Sequence, residues 1–213
     1  MRRRLTSTNC EATLPHLVKI LIACEFSGVV RDAFAARGHE ACSCDLRPCL
    51  RPGWHIQGDC RAAIALQSWD MLIAHPPCTY LNSAGLHWNR RGRGTSKTEA
   101  ALEFVRELLA ADVPKIALEN PVGCISTRIR PADQYVQPYE FGDDASKKTG
   151  LWLKGLPRLV STAYFVPRIV DGRPRWSNQT DSGQNRLGPS LLREAMRSVT
   201  YPGIAAAMAA QWG

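Results

Sequence analysis

Five candidate strands, each ending on a polar cluster, restrict this chain to one kind of architecture. Lys19-Ile20-Leu21-Ile22-Ala23-Cys24 carries no polar alternation, as expected of a parallel strand buried on both faces. It closes on Glu25-Phe26-Ser27-Gly28, and a helical pattern follows at Val29, Val30, Phe34 and Ala35. Residues 39–44 read as a second strand closing on Asp45, and residues 54–57 as a third closing on Asp59. Residues 70–74 end in His75-Pro76-Pro77-Cys78, and residues 115–118 end in Glu119-Asn120-Pro121. Strand, turn and helix repeat in that order, which predicts an α/β fold with a mostly parallel sheet and helices on both faces. Ligands of such open sheets sit beyond the carboxyl ends of the strands. The five polar clusters are therefore expected to converge on one cleft.

The remaining patterning is weaker. Ser96 to Glu99 has the spacing of a capping box ahead of a helix with Ala101, Phe104, Val105 and Leu108 on one side. Residues 135–141 and 164–169 are candidate strands in the irregular region 128–186. Residues 202–212 are Ala-rich and read as a helix. Residues 1–17 read as a basic leader, and 18–213 as a single domain in which 128–190 is a reduced substrate-binding region.

Composition narrows the partners. The chain has 213 residues, 45% hydrophobic and 22% charged, which excludes disordered and collagen-like classes. Lys and Arg number 27 against 19 Asp and Glu, and the excess of +8 favours a polyanion such as nucleic acid. No apolar stretch reaches the ~18 residues of a membrane helix, and no apolar segment of a signal peptide follows the basic start. Eight cysteines in a chain of this length fit free thiols in a reducing cytoplasm.

Each cluster suits a task. Gly28 after a first strand lets backbone approach a ligand, although a pyrophosphate-cradling G-x-G-x-x-G is absent. Asp45 is placed to accept from ribose hydroxyls, and Asp59 from an adenine amine. Pro76 and Pro77 stiffen the backbone that presents Cys78, a candidate nucleophile. Glu119, closing a buried strand, needs a partner, either a following turn or a base edge.

Taken together, in this order and spacing, the clusters resemble the cytosine-C5 DNA methyltransferases, particularly short phage-type members without a large target-recognition domain. The resemblance spans residues 19–125 and, less closely, 195–212. It implies the Rossmann-like fold of S-adenosylmethionine-dependent methyltransferases. It implies S-adenosylmethionine at Phe26, Ser27, Gly28, Asp45, Asp59 and Pro76. Residues 197–205 resemble the last family motif, which returns to the cofactor pocket and adds Thr200. It implies Cys78 as the nucleophile, Glu119 as the acid on the base, and Pro77 and Asn120 beside it. The expected partner is DNA with a flipped or single-stranded pyrimidine, in a bacterial or phage-infected cell. This chain departs from the family pattern at Pro121, where Val is usual, and in its shortened turn at 26–28. The family's Gln-x-Arg-x-Arg strand is missing. Residues 137–141 stand in its place without an arginine, leaving Arg128 and Arg130 as substitutes. Only about 40 residues separate Leu156 from Met196, against the ~100 of a separate recognition domain.

In that chemistry the Cys78 thiolate adds to C6 and turns C5 into a nucleophile. Glu119, protonated or sharing a proton with N3, stabilises the charge pushed into the ring, a role suited by a carboxyl whose pKa burial has raised. The target carbon is inaccessible in a stacked duplex, so the base is flipped out or already unpaired. Residues 82–95 read as a mobile lid in which Arg90, Arg91 and Arg93 hold phosphates; Lys147 and Lys148 are further backbone-contact candidates. Three other readings stay open. Cys42, Cys44, Cys49 and Cys60, with His39 and His55, make a zinc site to weigh, although Cys42 and Cys44 share one face of a strand and suit core packing. His75 and Cys78 suggest a thiol hydrolase, for which the sequence shows no third, orienting group. The last is a nucleic-acid-binding module, non-catalytic or of altered substrate, that keeps the fold.

Overall fold

The computed structural model describes residues 17–213 except 88, 92–93, 189 and 191–192, and omits the side chains of residues 90 and 194. The leader expected at 1–17 lies outside this range except for Leu17. Among the described residues nine strands form: β1 Lys19–Ala23, β2 Glu40–Asp45, β3 His55–Gln57, β4 Met71–Ala74, β5 Lys115–Pro121, β6 Gln134–Val136, β7 Thr149–Lys154, β8 Arg168–Val170 and β9 Arg173–Arg175. The helices are α1 Val29–Ala35, α2 Cys60–Ala65, α3 Ser83–Leu86, α4 Ser96–Leu109, α5 Ile125–Arg128, α6 Arg193–Ser198 and α7 Pro202–Trp212.

Seven strands make one sheet in the order β3-β2-β1-β4-β5-β7-β6. The first five are parallel, and β7 runs antiparallel between β5 and β6. This is the doubly wound, mostly parallel arrangement expected from the sequence, with its topological switch between β1 and β4. Alternation along the strands sends Ile20, Ile22, Met71, Ile73 and Ala117 to one face, where α1 and α7 supply Val30, Phe34, Met208 and Trp212. Leu21, Ala23, Leu72, Ala74, Ile116 and Leu118 go to the other face, under Ala63 of α2 and Leu102, Val105 and Leu108 of α4. A strand with helices on both sides has no solvated face, hence the uninterrupted apolar runs. No helix among the described residues is long and apolar enough to cross a membrane.

Several local expectations are corrected. Residues 149–154 form an interior strand that the sequence reading missed. β5 runs through Glu119 and Asn120 instead of ending before them, because β7 pairs across from it (Glu119 with Leu151, Asn120 with Gly150). The strand expected over 135–141 stops at Val136. Pro138 has no N–H to continue the ladder and opens a 3-10 turn, Pro138–Glu140, in which Gln137 N donates to Glu140 Oε2 at 2.7 Å. The strand expected over 164–169 reduces to β8, joined to β9 through Asp171 and Gly172, both at positive φ (48° and 71°), the backbone a tight hairpin demands. Ser96 is already inside α4 and cannot cap it: Thr95 holds that position without a side-chain bond, and Glu99 pairs with Arg128 at 3.0 Å.

One buried cation ties the sheet edge together. Arg31 of α1 is 1% exposed. It donates to Asp32 at 2.7 Å, to the Pro52 carbonyl at 2.8 Å and to the Ser43 hydroxyl at 3.3 Å. It thereby anchors the 46–54 loop through the Arg51 and Pro52 carbonyls. Arg31→Met keeps the volume but strips these carbonyls of their partner. The expected cost is roughly 2–3 kcal/mol of stability, read as a fall in Tm of about 4–12 °C in thermal unfolding.

Candidate functional site

The expected convergence holds in part: Asp45, Asp59, His75, Pro77 and Cys78 line adjoining cavities, whereas Glu25, Phe26, Ser27, Gly28, Glu119 and Asn120 do not. Three adjoining cavities open along the carboxyl ends of the parallel strands and share walls, so that they form one groove. Cys24, Cys44, Asp45, Arg47, Asp59, Cys60, Pro77 and Phe104 are among the residues that line its first part, about 400 Å³. The central part, about 440 Å³, shares Cys24, Asp45, Arg47 and Pro77 with the first and adds His75, Cys78, Asn82, Arg193 and Arg197. The third part, about 630 Å³, shares Asn82, Ala84 and Arg197 with the centre and is lined by Lys147, Lys148, Asn178, Gln179 and Arg186. Carboxylates each paired with an arginine, Asp45 with Arg47 and Asp59 with Arg61, mark one end, cations the other, and Cys78 stands between.

At the first end, Asp45 closes β2 and accepts from Arg47 N at 2.9 Å. Arg47 lays its guanidinium 3.9 Å from the centre of the Phe26 ring. Asp59 caps α2 through a 2.9 Å bond from Arg61 N, while still lining the groove. The 26–28 turn plays a different part from the one expected. Glu25, 4% exposed, turns its carboxylate onto the start of α1, accepting from Val30 N at 2.7 Å and from Ser27 Oγ at 3.2 Å. Ser27 is buried, and Gly28 stands at φ +72°, where a Cβ would lie 2.7 Å from the Arg31 guanidinium. Ser27 and Gly28 therefore shape the turn without lining the groove. Thr200, buried ahead of α7, does not line it either.

At the centre, Pro76 and Pro77 lead into Cys78, whose carbonyl accepts from Leu81 N, Asn82 N and Asn82 Nδ2 at 3.0, 2.9 and 2.8 Å. Asn82 also caps α3 through Gly85 N, and a Cβ on Gly85 would fall 1.9 Å from the Thr79 carbonyl. The backbone bearing the thiol is thus pinned from both sides. Asn120 donates to the Pro76 carbonyl at 2.7 Å, and its Oδ1 is buried without a partner among the described residues.

Glu119 joins the groove through His75, whose Nδ1 lies 2.8 Å from Glu119 Oε2. His75 Nε2 is buried with no hydrogen-bond partner among the described residues. The sequence reading expected burial to raise the Glu119 pKa, and the structure reverses this. Burial does push the carboxyl up, but the Lys147 ammonium, the His75 imidazole and the Thr149 hydroxyl outweigh it and hold the group at about 2. Glu119 is therefore a carboxylate. It only accepts, so His75 carries its proton on Nδ1. A carboxyl lowered from 4.5 to about 2 adds stability that is complete above pH 4.5 and is lost as pH falls through 2. At 1.36 kcal/mol per unit this amounts to roughly 3 kcal/mol. The stability gap between wild type and Glu119→Gln is accordingly expected to shrink between pH 4.5 and 2, followed by denaturant unfolding at each pH.

Other expected residues fall elsewhere. Arg128 is half exposed and salt-bridged to Glu99. Arg130 donates to Asp133 at 2.7 Å and to the Leu153 carbonyl at 3.0 Å, at the end of β7 remote from Cys78. The expected lid at 82–95 contains α3 and a 3-10 turn, Asn89–Arg91, with Arg91 exposed on it. Arg93 and the Arg90 side chain lie outside the described residues. Among the described residues, no three of His, Cys, Asp and Glu are placed to hold a metal ion. Burial pushes the Cys42 and Cys44 thiols up to about 11 and about 12, as suits core residues.

His75, Arg47 and Lys147 complete the site. His75 had been weighed only as a hydrolase base, Lys147 only as a backbone contact, and Arg47 not at all. The position of His75 directly after β4 was the available signal.

No protein-family model and no curated protein matches the chain. Among solved structures it is similar to a protein described as a DNA modification methyltransferase encoded within an E. coli prophage (13% identity, TM-score 0.44, 72% of this chain and 56% of that one). It is similar to the Entamoeba histolytica methyltransferase EhMeth (13%, 0.44, 73% and 61%) and to WbdD (14%, 0.38, 68% and 37%). The chain thus spans less than two thirds of each, and likeness this distant carries no argument about what it does.

Proposed function

We propose that this protein is an S-adenosylmethionine-dependent DNA methyltransferase acting on C5 of a flipped or unpaired cytosine. One observation carries the reading: a continuous groove with arginine-paired carboxylates at one end, cations at the other, and Cys78 beside the His75–Glu119 pair in the middle.

The first part of the groove fits the cofactor. Its volume falls in the range of small-molecule sites. Asp45 and Asp59 offer carboxylates to ribose hydroxyls and to an amine. Pro77 and Phe104 supply an apolar wall. S-adenosylmethionine, when bound, supplies the methyl group. At the other end, Lys147, Lys148, Arg186 and Arg197 match phosphates. Three of these four lie in or beside the 128–190 segment assigned as the reduced substrate-binding region.

In the centre, Cys78 adds to C6 of the base, forming an S–C6 bond and placing an electron pair at C5. After transfer, loss of the C5 proton and cleavage of S–C6 restore the ring. Glu119, as a carboxylate, faces the base as an acceptor suited to the N4 amine of cytosine. The earlier picture of a protonated Glu119 at N3 is replaced by this one. His75 and Lys147 keep Glu119 charged and aimed.

The thiol-hydrolase reading gains from the structure the orienting group that the sequence lacked, since Glu119 holds His75. Yet Cys78 makes no hydrogen bond to His75 among the described contacts. Two measurements separate the readings. Incubation with labelled S-adenosylmethionine and assorted DNAs, followed by mass spectrometry of nucleosides, is expected to yield 5-methylcytosine. DNA carrying 5-fluorocytosine is expected to give a denaturant-stable adduct at Cys78. Absence of both products overturns the reading; an adduct on another pyrimidine corrects the substrate.

A further inference from the structure

The cofactor end of the groove contains reactive groups that methyl transfer does not use. Cys24, Cys44 and Cys60 all line it. The Cys24 and Cys60 sulfurs lie 4.0 Å apart in a hydrogen bond, although 36 positions separate them in the chain. Among the described residues this is the one thiol–thiol bond. Cys24 is the turn residue that ends β1, at φ +59°, a region seldom entered by residues other than glycine. Cys60 opens α2 directly after Asp59. Cys44 is fully buried and gives its S–H to the Gly58 carbonyl at 3.4 Å, so it is engaged elsewhere.

We propose that Cys24 and Cys60 form a peroxide-sensitive dithiol whose disulfide closes the cofactor end of the groove. The two sulfurs share one hydrogen bond, which draws the Cys60 thiol down and pushes the Cys24 thiol up, so the pair presents one nucleophilic sulfur and one resolving thiol. The Cys60 thiolate attacks one oxygen of hydrogen peroxide. The O–O bond breaks, hydroxide leaves and Cys60 becomes a sulfenic acid. The Cys24 sulfur then attacks Cys60, its proton leaves with the displaced hydroxyl as water, and the S–S bond forms. Two thiols are oxidised and one peroxide is reduced to two waters.

Bond formation draws the sulfurs from 4.0 Å to the ~2.05 Å of a disulfide. That pulls the end of β1 against the start of α2, across the floor between Asp45 and Asp59. The bond itself is independent of the function proposed above; its effect on S-adenosylmethionine rests on that reading.

The test uses the full-length protein with Cys78→Ser, which removes the half-buried thiol of the neighbouring part of the groove. The reduced protein is titrated with hydrogen peroxide, alkylated and peptide-mapped without reduction. The expected result is loss of two hydrogens and a Cys24–Cys60 cross-link, reversed by dithiothreitol and absent in both Cys24→Ser and Cys60→Ser. S-adenosylmethionine affinity, measured by calorimetry on each form, is expected to fall at least ~10-fold on oxidation and to return on reduction. Two alkylatable thiols at these positions after peroxide, in protein with unchanged circular dichroism, overturn the proposal, as does a cross-link through Cys44 or equal affinity in both forms. A reduced protein that cross-links but never binds S-adenosylmethionine overturns the functional reading and the gating together, and leaves the dithiol standing.

Discussion

Cys78→Ala is expected to abolish methyl transfer while leaving S-adenosylmethionine binding within about twofold. The substitution removes one sulfur from a half-buried position and touches nothing that holds the backbone. The Cys78 carbonyl keeps its three donors from Leu81 and Asn82, and Pro76 and Pro77 keep their constraint. Cys78 lines the central part of the groove, not the acid-lined part next to it, so cofactor affinity has no reason to change. Removing the nucleophile of a covalent mechanism typically costs ~10⁴-fold or more in kcat. Initial rates with labelled cofactor, beside calorimetric binding of the same variant, check both halves. A variant within tenfold of wild-type turnover ends the role of Cys78 as nucleophile.

The path from sequence to this site was uneven, for physical reasons. The strands that carry Glu25, Asp45, His75 and Glu119 were legible because a strand covered on both faces must be apolar throughout, and its end is marked where the first polar residue appears. β7 was not legible. Leu151 packs toward α7 and Trp152 toward α4, which leaves no alternation, while Gly150 and Lys154 interrupt the apolar run. Gly150 belongs there because a Cβ would come within 2.9 Å of the Trp152 ring. The charge state of Glu119 was misjudged for a related reason. Burial is a local expectation, whereas the groups that overcome it come from elsewhere: Lys147 and Thr149 lie about thirty residues downstream, and only the antiparallel pairing of β5 with β7 brings them near. Asp59 shows the converse. Its place after a strand was legible, but the capping of α2 that fixes its carboxylate depends on Arg61.

Glu119→Gln is expected to lower kcat by ~10²–10³-fold, with the Kd for S-adenosylmethionine unchanged, the usual scale for losing one charged group that orients the base in a closed site. The amide oxygen can still accept from His75 Nδ1, so the variant keeps the geometry and loses the charge. The charge matters twice. It offers the base amine a stronger acceptor than an amide does, and it fixes the His75 proton on Nδ1, leaving Nε2 free toward the interior of the site. An amide presents a donor as well as an acceptor, so the imidazole loses the single tautomer that the carboxylate enforces. With the carboxyl at about 2, wild-type kcat is expected to show no titration step from Glu119 between pH 4 and 9. Glu119→Asp keeps the charge on a side chain one methylene shorter and is expected to recover part of the rate. Single-turnover rates measured across that pH range for all three proteins decide the matter. Turnover by Glu119→Gln within tenfold of wild type, or an acid limb near pH 6 that disappears in that variant, contradicts a role for Glu119 as a fixed carboxylate.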